Sequence, residues 1–275
     1  MSAHTKAKRM TAPKIRALKG ERPVVCLTAY TTPIAQILDP HMDLILVGDS
    51  VGMVLHGMKN TLGVTMEMMI MHGASVVRGS KHACVIVDMP FASYQESPEL
   101  AYRNAARLMQ ETGCAGIKLE GGVEMAETIR FLTERGIPVM GHIGLTPQSF
   151  NSLGGYSARG RKQEQWAPII ADGIAVDGAG AFSTVVEGVA QPLAEEITGK
   201  VGTVTIGIGA SPACDGQILV TEDLLGLYES VPPFAKQYAH IRTDVEEAAK
   251  CYAAEVHART FPGPEHCYKM SDGEK

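Results

Sequence analysis

The sequence predicts an α/β fold, specifically a (β/α)8 TIM barrel formed by a single domain. Short runs rich in Val, Ile and Leu recur along the chain, as in parallel strands that are buried on both faces. Helix-like segments separate these runs, and a length of 275 residues suits one barrel. A doubly wound open sheet is the structural alternative, and a missing eighth strand would favour it.

Eight segments have the composition of buried strands. They are residues 24–29, 44–48, 83–89, 115–119, 137–141, 182–186, 204–209 and 217–220. The last of these is short enough to be the end of a loop instead. Because the segments are spread over nearly the whole chain, the sequence favours closure into a barrel.

Helix boundaries follow from residues that cap helices. Thr65 and Ser97 are predicted N-caps, and Pro98 follows Ser97 at the first helical position, where its missing N–H costs nothing. Gly136 is expected to end the helix that follows the fourth strand, and Pro192 is expected to begin another.

Two polar, glycine-containing loops are expected on the face where the strands end. One covers residues 52–63 after the second strand, and the other covers residues 151–160 after the fifth. Long loops on this face are often lids, but a flexible surface connection would explain them equally well.

The rest of the chain limits the classes of function. We expect one domain over residues 1–275, with a helical lead-in over about residues 1–22 and a frayed tail over about residues 270–275. The basic start could instead be a transit peptide. A formal net charge of −5 gives no reason to expect nucleic acid, and no apolar run is long enough to span a membrane. Six scattered cysteines indicate a reducing cytoplasm.

Five of the apolar runs end in an ionisable residue: Asp49, Asp88, Glu120, His142 and Glu187. The carboxyl ends of parallel strands lie on one face, so these side chains should converge there. Gathered carboxylates need compensation by protons or a cation. The trio Asp49, Asp88 and Glu120 therefore favours Mg²⁺ or another divalent cation, although any one of them alone could cap a helix or pair with an arginine.

The neighbouring residues suggest further roles. Lys118 lies two residues before Glu120 on the same strand face, and could neutralise a substrate carboxylate, form a Schiff base or pair with Glu120. Ser50 could bind a carboxylate or cap a turn. Glu187 is a candidate general base, and His142 is a ligand, an acid or a core histidine, for which we expect only a supporting role.

Several motifs together resemble the ketopantoate hydroxymethyltransferase family. They include Leu-Val-Gly-Asp-Ser at 46–50, Asp-Met-Pro-Phe at 88–91, Lys-Leu-Glu-Gly-Gly at 118–122 and Gly-His-Ile-Gly-Leu-Thr-Pro-Gln at 141–148. The resemblance covers nearly the whole chain, and the longest of these motifs is rarely met by chance.

This resemblance implies a TIM barrel of the phosphoenolpyruvate/pyruvate type. The enzyme would transfer a one-carbon unit from the co-substrate 5,10-methylenetetrahydrofolate to 3-methyl-2-oxobutanoate, through a Mg²⁺-stabilised enolate, to give 2-dehydropantoate in pantothenate biosynthesis. The resemblance also implies a homo-oligomer, typically a decamer. It implies that Glu187 is the proton acceptor, that Asp49, Asp88 and Glu120 bind Mg²⁺, and that Asp49, Ser50, Asp88 and Lys118 hold the oxo acid.

Three other functions are consistent with the residues. The chain could be a Schiff-base aldolase that uses Lys118, or a Mg²⁺-dependent 2-oxo acid lyase with the same barrel. It could also be a non-catalytic oligomer that binds an oxo acid or a folate.

Overall fold

Eight parallel strands close into one barrel, each strand pairing with the next in chain order and β1 pairing with β8. This computed structural model describes residues 9–270. The strands are Val24–Thr28 (β1), Leu44–Val47 (β2), Cys84–Asp88 (β3), Gly116–Lys118 (β4), Val139–Gly144 (β5), Ser183–Glu187 (β6), Val204–Ile208 (β7) and Gly216–Leu219 (β8). The predicted TIM barrel is confirmed, and the eighth strand excludes the open sheet.

Helices connect the strands and cover the outside of the barrel. They are Ala12–Arg16 (α1), Thr32–Leu38 (α2), Val51–Val54 (α3), Met66–Gly79 (α4), Pro98–Thr112 (α5), Ala126–Thr133 (α6), Phe150–Leu153 (α7), Trp166–Gly178 (α8), Gln191–Lys200 (α9), Thr221–Leu224 (α10) and Ile241–Ala258 (α11). The predicted N-caps are confirmed, because the hydroxyl of Thr65 accepts from the Met68 N–H and that of Ser97 accepts from the Leu100 N–H.

The strand predictions are correct to within two residues except at β5, which the sequence placed at 137–141. The strand begins at Val139 because Pro138 has no N–H to donate to the ladder, although its carbonyl oxygen accepts from Ile117. It continues to Gly144, so His142 lies within the strand and not just after it. The helices α2, α8, α10 and α11 were not predicted, and neither were the short helices α3 and α7, which lie partly in the two segments expected to be loops.

The chain forms two compact units, one that ends at Thr221 and one that begins at Glu222. The first contains the entire barrel, and the second contains α11. The prediction of one domain over residues 1–275 stays a prediction. The start of the predicted lead-in, residues 1–8, and the tail at residues 271–275 lie outside the described residues. No helix within residues 9–270 is long and apolar enough to cross a membrane.

Alternation along the strands separates two apolar clusters. In β2, Ile45 and Val47 belong to the cluster beneath the surrounding helices, whereas Leu44 and Leu46 belong to the cluster inside the barrel. Ile15 of α1 is fully buried in the inner cluster, so α1 covers the end of the barrel where the strands begin. The inside of the barrel is therefore a packed apolar layer, and polar groups gather only above it.

Candidate active site

Strand alternation brings four ionisable side chains to the inside of the barrel, at the end where the strands finish. Asp88 lies two residues after inward-facing Ile86 of β3, and His142 lies two residues after inward-facing Met140 of β5, so both face inward. Lys118 comes directly after Ile117 of β4, which faces outward, so it faces inward as well. Glu187, the last residue of β6, lies two residues after inward-facing Val185 and so also faces inward. The predicted inward orientation of Lys118 is confirmed, because this lysine is buried with its ammonium beside Asp88.

Asp88 connects the second, third and fourth strands. Its Oδ2 accepts from the backbone N–H of Asp49 at 3.0 Å and lies 3.2 Å from Lys118 Nζ. All three residues are buried. The ion pair that the sequence suggested between Lys118 and Glu120 is therefore made with Asp88 instead.

His142 lies between two glutamates. Its Nε2 is 3.1 Å from Glu187 Oε2, and its Nδ1 is 3.5 Å from Glu120 Oε1 and 3.3 Å from Lys118 Nζ. The Glu187 side chain is 17% exposed, whereas those of Glu120 and His142 are each 3% exposed. Glu187 is thus the acid of this group that a ligand can reach most easily.

Ser50 lies at the turn that leads into α3. Its Oγ is 2.8 Å from the Tyr30 hydroxyl and makes no capping bond to α3, so the capping role is wrong. A Cβ at Gly48 would stand 2.7 Å from Ser50 Oγ and 3.6 Å from Asp88 Oδ2, so glycine leaves room for both groups at this turn. The hydroxyl therefore belongs to the same polar cluster.

Gln148 is a component of the site that the sequence analysis did not identify. It lies in the short 3-10 turn Pro147–Ser149 after β5 and is buried. Its Nε2 donates to Asp49 Oδ2 at 2.8 Å, and its backbone N–H donates to Glu120 Oε2 at 2.9 Å. Its place at the end of the 141–148 motif was the only signal in the sequence.

Burial and mutual repulsion dominate the electrostatics. Burial raises the pKa of Asp49, and the negative charges of Asp88 and Glu120 raise it further, to about 8. Burial also raises the pKa of Asp88, although Lys118 opposes the change. The acidic cluster therefore holds more negative charge than its one lysine balances.

The two basic groups respond to the same charges. Burial lowers the pKa of Lys118, but Asp88, Glu120 and Asp49 together raise it above its ordinary value. Burial and Lys118 lower the pKa of His142, yet its contacts with Glu120 and Glu187 raise it more, to about 9. Both groups are accordingly positively charged at neutral pH.

The carboxylates offer oxygens that a cation could use. One oxygen of each is held by a protein donor, namely Asp49 Oδ2, Asp88 Oδ2 and Glu120 Oε2. The second oxygens of Asp88 and Glu120 are buried without a hydrogen bond. Within residues 9–270, no three His, Cys, Asp or Glu side chains are already arranged around one ion position. The chemistry of the donors, carboxylate oxygens, is of the kind that Mg²⁺ prefers, and Mg²⁺ binds through one or two carboxylates and keeps several waters.

The fold and the site define the class of protein. It is a (β/α)8-barrel enzyme in which carboxylates, a lysine and a histidine meet where the strands end, the usual position of catalytic groups in such barrels. The arrangement provides a fixed ammonium for an anionic substrate and an accessible carboxylate that can take a proton. All the residues predicted from the sequence are brought together here, while their individual roles stay predictions.

Comparison with known proteins gives the family. The model of the ketopantoate hydroxymethyltransferase family matches residues 9–264. A 3-methyl-2-oxobutanoate hydroxymethyltransferase of Agrobacterium fabrum is 60% identical over 98% of this chain and 97% of its own length. The enzyme of that name from Rhodospirillum centenum is 61% identical over 98% of both chains. The chain therefore belongs to the ketopantoate hydroxymethyltransferase family.

Solved structures at low sequence identity share the fold. The 2,3-dimethylmalate lyase of the PEP mutase/isocitrate lyase superfamily aligns with a TM-score of 0.57 at 17% identity, over 97% of this chain and 93% of that one. Phosphoenolpyruvate phosphomutase from Streptomyces platensis subsp. rosaceus aligns with a TM-score of 0.60 at 11% identity, over 94% and 92% respectively. These structural similarities support the barrel fold and no statement about substrate or reaction.

Proposed function

We propose that this enzyme transfers a hydroxymethyl group from 5,10-methylenetetrahydrofolate to C3 of 3-methyl-2-oxobutanoate, giving 2-dehydropantoate. Identity of about 60% over almost the entire chain to enzymes named for this oxo acid is the main support. The cluster of Lys118, Asp88, His142 and Glu187 supplies the groups that such a reaction needs. The reaction consumes one water, whose oxygen becomes the new hydroxyl, and releases tetrahydrofolate.

Substrate binding falls to the positively charged and hydroxyl groups of the cluster. Lys118 is buried and paired with Asp88, so its ammonium is fixed in place to offset the carboxylate of the oxo acid. The Ser50 hydroxyl, held by Tyr30, is placed to donate to the same ligand. Asp49 and Asp88 complete the group of residues assigned to the substrate.

Glu187 is the proton acceptor in this mechanism. It is the most exposed acid of the cluster, and His142 lies 3.1 Å from its Oε2, which orients the carboxylate. The carboxylate takes the proton from C3, and the electron pair of that C–H bond moves into an enolate. One C–N bond of the folate's methylene bridge breaks, with its electron pair left on nitrogen, and C3 attacks the methylene carbon of the resulting iminium to form the new C–C bond. Water then replaces the second nitrogen on that carbon, and the two nitrogens take up the proton held by Glu187 and a proton from the water, which releases tetrahydrofolate.

Asp49, Asp88 and Glu120 would hold a divalent cation, for which we propose Mg²⁺. The cation would polarise the keto oxygen as a Lewis acid and so make the C3 proton more acidic. Two buried carboxylate oxygens without hydrogen bonds, together with the raised pKa of Asp49, support this assignment. His142 keeps a supporting role beside Glu187.

The Schiff-base alternative is less well supported. A lysine must lose its proton before it can attack a carbonyl, and the ion pair with Asp88 holds Lys118 in its charged form. The charge suits a role in binding a carboxylate anion.

One assay tests the proposal and separates it from its rivals. The purified protein is incubated with 3-methyl-2-oxobutanoate and 5,10-methylenetetrahydrofolate, with Mg²⁺ or with excess chelator, and 2-dehydropantoate is measured. We expect product only when both the folate and Mg²⁺ are present. Formation of 2-dehydropantoate in the presence of the chelator would overturn the role of the cation. Covalent trapping of the substrate on the protein by borohydride would indicate a Schiff base. The absence of any turnover would overturn the proposed reaction.

Assembly and cellular context are also proposals. We propose a homodecamer in the cytoplasm that contributes to pantothenate biosynthesis. No residue of α11 is buried in the single chain, and Val245, Tyr252 and Val256 expose apolar surface on it, which supports burial against another copy. Light scattering at micromolar concentration checks the mass, and a monomer would contradict the decamer.

A further inference from the structure

The side chain of Gln148 uses every hydrogen-bonding position of its amide. Its Nε2 donates to Asp49 Oδ2 at 2.8 Å and to the Met89 carbonyl oxygen at 2.9 Å. Its Oε1 accepts from the Tyr94 hydroxyl at 2.7 Å and from Gln95 Nε2 at 3.0 Å. Because a carbonyl oxygen can only accept, the contact with Met89 fixes which end of the amide is the nitrogen. The side chain therefore has one possible orientation.

The same network also reaches the fourth strand. The backbone N–H of Gln148 donates to Glu120 Oε2 at 2.9 Å, and the Tyr94 hydroxyl accepts from the backbone N–H of Glu120 at 3.1 Å. Gln148 thus holds Asp49 and Glu120 through one oxygen of each, and Tyr94 holds both Gln148 and the Glu120 backbone. Tyr94 and Gln148 are themselves buried.

We propose that Gln148 and Tyr94 are positioning residues that hold Asp49 and Glu120 ready for the divalent cation. This inference depends on the proposed function. Gln148 engages Oε2 of Glu120, while Oε1 makes no hydrogen bond and has His142 Nδ1 3.5 Å away. A carboxylate that is fixed by one oxygen loses less rotational freedom when its other oxygen takes up an ion. Neither positioning residue needs to touch the substrate.

The position requires a primary amide. A glutamate would add negative charge to an already repulsive cluster and would lose both donors. A methionine has a similar length and shape but neither donates to Asp49 nor accepts strongly from Tyr94. Gln148→Met therefore removes all four hydrogen bonds of the amide, those to Asp49 and Tyr94 among them, while leaving the backbone bond to Glu120 in place.

Calorimetric titration of Mg²⁺ alone into the metal-free protein measures the effect without any turnover. We expect Gln148→Met to weaken the dissociation constant for Mg²⁺ by about 10-fold to 100-fold, as is usual when a partner of a ligand is removed. Tyr94→Phe should weaken it less, because it removes the hydroxyl's two bonds, to Gln148 and to the Glu120 backbone, but keeps the Gln148 amide bonded to Asp49. As a second readout, saturating Mg²⁺ should restore most of the kcat of Gln148→Met while its requirement for Mg²⁺ stays raised.

Gln191→Met is the matched control. The Gln191 amide donates to Glu195 Oε1 at 2.9 Å on the exposed side of α9, so this variant loses the same kind of bond far from the acidic cluster. It should bind Mg²⁺ like the wild type. Thermal midpoints of all variants report on folding, and Tyr94→Phe keeps the test valid if Gln148→Met does not fold.

The outcomes separate this inference from the proposed function. If the wild type binds Mg²⁺ and both variants bind it within about threefold of the wild type, the positioning role is wrong while the reaction stands. If the wild type does not bind Mg²⁺ at all, the proposed metal chemistry fails and the positioning role fails with it.

Discussion

Two buried aspartates at opposite ends of the strands show how neighbours determine the behaviour of a carboxylate. Asp39 lies before β2, and the backbone N–H groups of Lys81, His82 and Ala83 donate to it at 2.8 to 2.9 Å. The Ser80 hydroxyl also donates to it, at 2.5 Å. Asp49 lies after β2 and faces two other carboxylates. Both residues are at most 6% exposed.

The two pKa values move in opposite directions. Burial by itself would raise the pKa of Asp39, but the hydrogen bonds from Ser80 and the 81–83 backbone lower it below the ordinary value. Burial and the charges of Asp88 and Glu120 raise the pKa of Asp49 to about 8. The carboxylate before the strands therefore stabilises the fold, whereas those after the strands are available for chemistry.

The largest effect is expected on activity at the strand ends. Glu187→Gln should slow exchange of the C3 proton of 3-methyl-2-oxobutanoate about 10³-fold, because an amide cannot accept the proton. Exchange is measured by NMR in heavy water without folate. Glu195→Gln, on the outer helix α9, is the control and should exchange at the wild-type rate. Wild-type exchange by Glu187→Gln would mean that another group is the base.

The largest effect on stability is expected at Asp39. Asp39→Ala leaves the buried Ala83 N–H and Ser80 hydroxyl, and the partly buried Lys81 and His82 N–H groups, without their acceptor. It should lower the free energy of unfolding by about 3 kcal/mol. Urea unfolding of the metal-free protein measures it. Asp49→Asn should leave the free energy of unfolding at neutral pH nearly unchanged, because the pKa of about 8 already keeps Asp49 uncharged there and the amide oxygen can still accept from Gln148. Equal losses of unfolding free energy in Asp39→Ala and Asp49→Asn would contradict the contrast between the two aspartates.

The pH dependence of stability should show the same contrast. Asp49 and His142 have folded-state pKa values of about 8 and about 9, above the ordinary 3.8 and 6.5. The stability that each group contributes is therefore fully present below its ordinary pKa and is lost as the pH rises through its folded-state pKa. Metal-free protein should lose stability between pH 6.5 and 9, by up to about 1.4 kcal/mol per pH unit for each proton released.

Asp49→Asn should make this slope shallower, and urea unfolding across the same pH range checks it. Asp39 titrates with the opposite sign. Because its folded pKa is lowered, its stabilisation is present above pH 3.8 and is lost as the pH falls further. A wild-type stability that does not change from pH 6.5 to 9 would argue against the raised pKa values.

The smallest effect on the free energy of unfolding is expected where a carboxylate is paired with a half-exposed arginine. Arg22 makes two bonds to Asp43, at 2.6 and 2.8 Å, and its hydrogen bonds are the main reason that the pKa of Asp43 is lowered. Arg22→Met should lower the free energy of unfolding by about 1 kcal/mol or less, since solvent already screens the pair. Arg107→Met, which removes a more exposed pair, should change it even less.

The sequence predicted the parts of the molecule that depend on short-range patterns. All eight strands were found because burial on both faces demands unbroken apolar runs. The inward orientation of Lys118 followed from alternation along β4, and the convergence of Asp49, Asp88 and Glu120 followed from the shared direction of the strands. These inferences need only the local period and the parallel topology.

The missed features depend on long-range contacts. Gln148 is one polar residue in a turn, and its importance comes from Asp49 and Tyr94, which lie 99 and 54 residues away in the chain. The helix α11 was also missed, although Val245, Tyr252 and Val256 are spaced as one face of a helix, and none of its residues is buried in the single chain. The start of β5 was misplaced because Pro138 is apolar but cannot join the ladder as a donor.

The apolar layer formed by α1 and the inward-facing strand residues limits the order in which ligands can bind and leave in the proposed reaction. Because Ile15 closes the end where the strands begin, ligands are expected to enter from the opposite end. In the proposed reaction an oxo acid bound beside Lys118 would lie deepest, so it would arrive before the bulky folate, and its product would depart only after tetrahydrofolate. Steady-state kinetics should therefore follow a compulsory sequence.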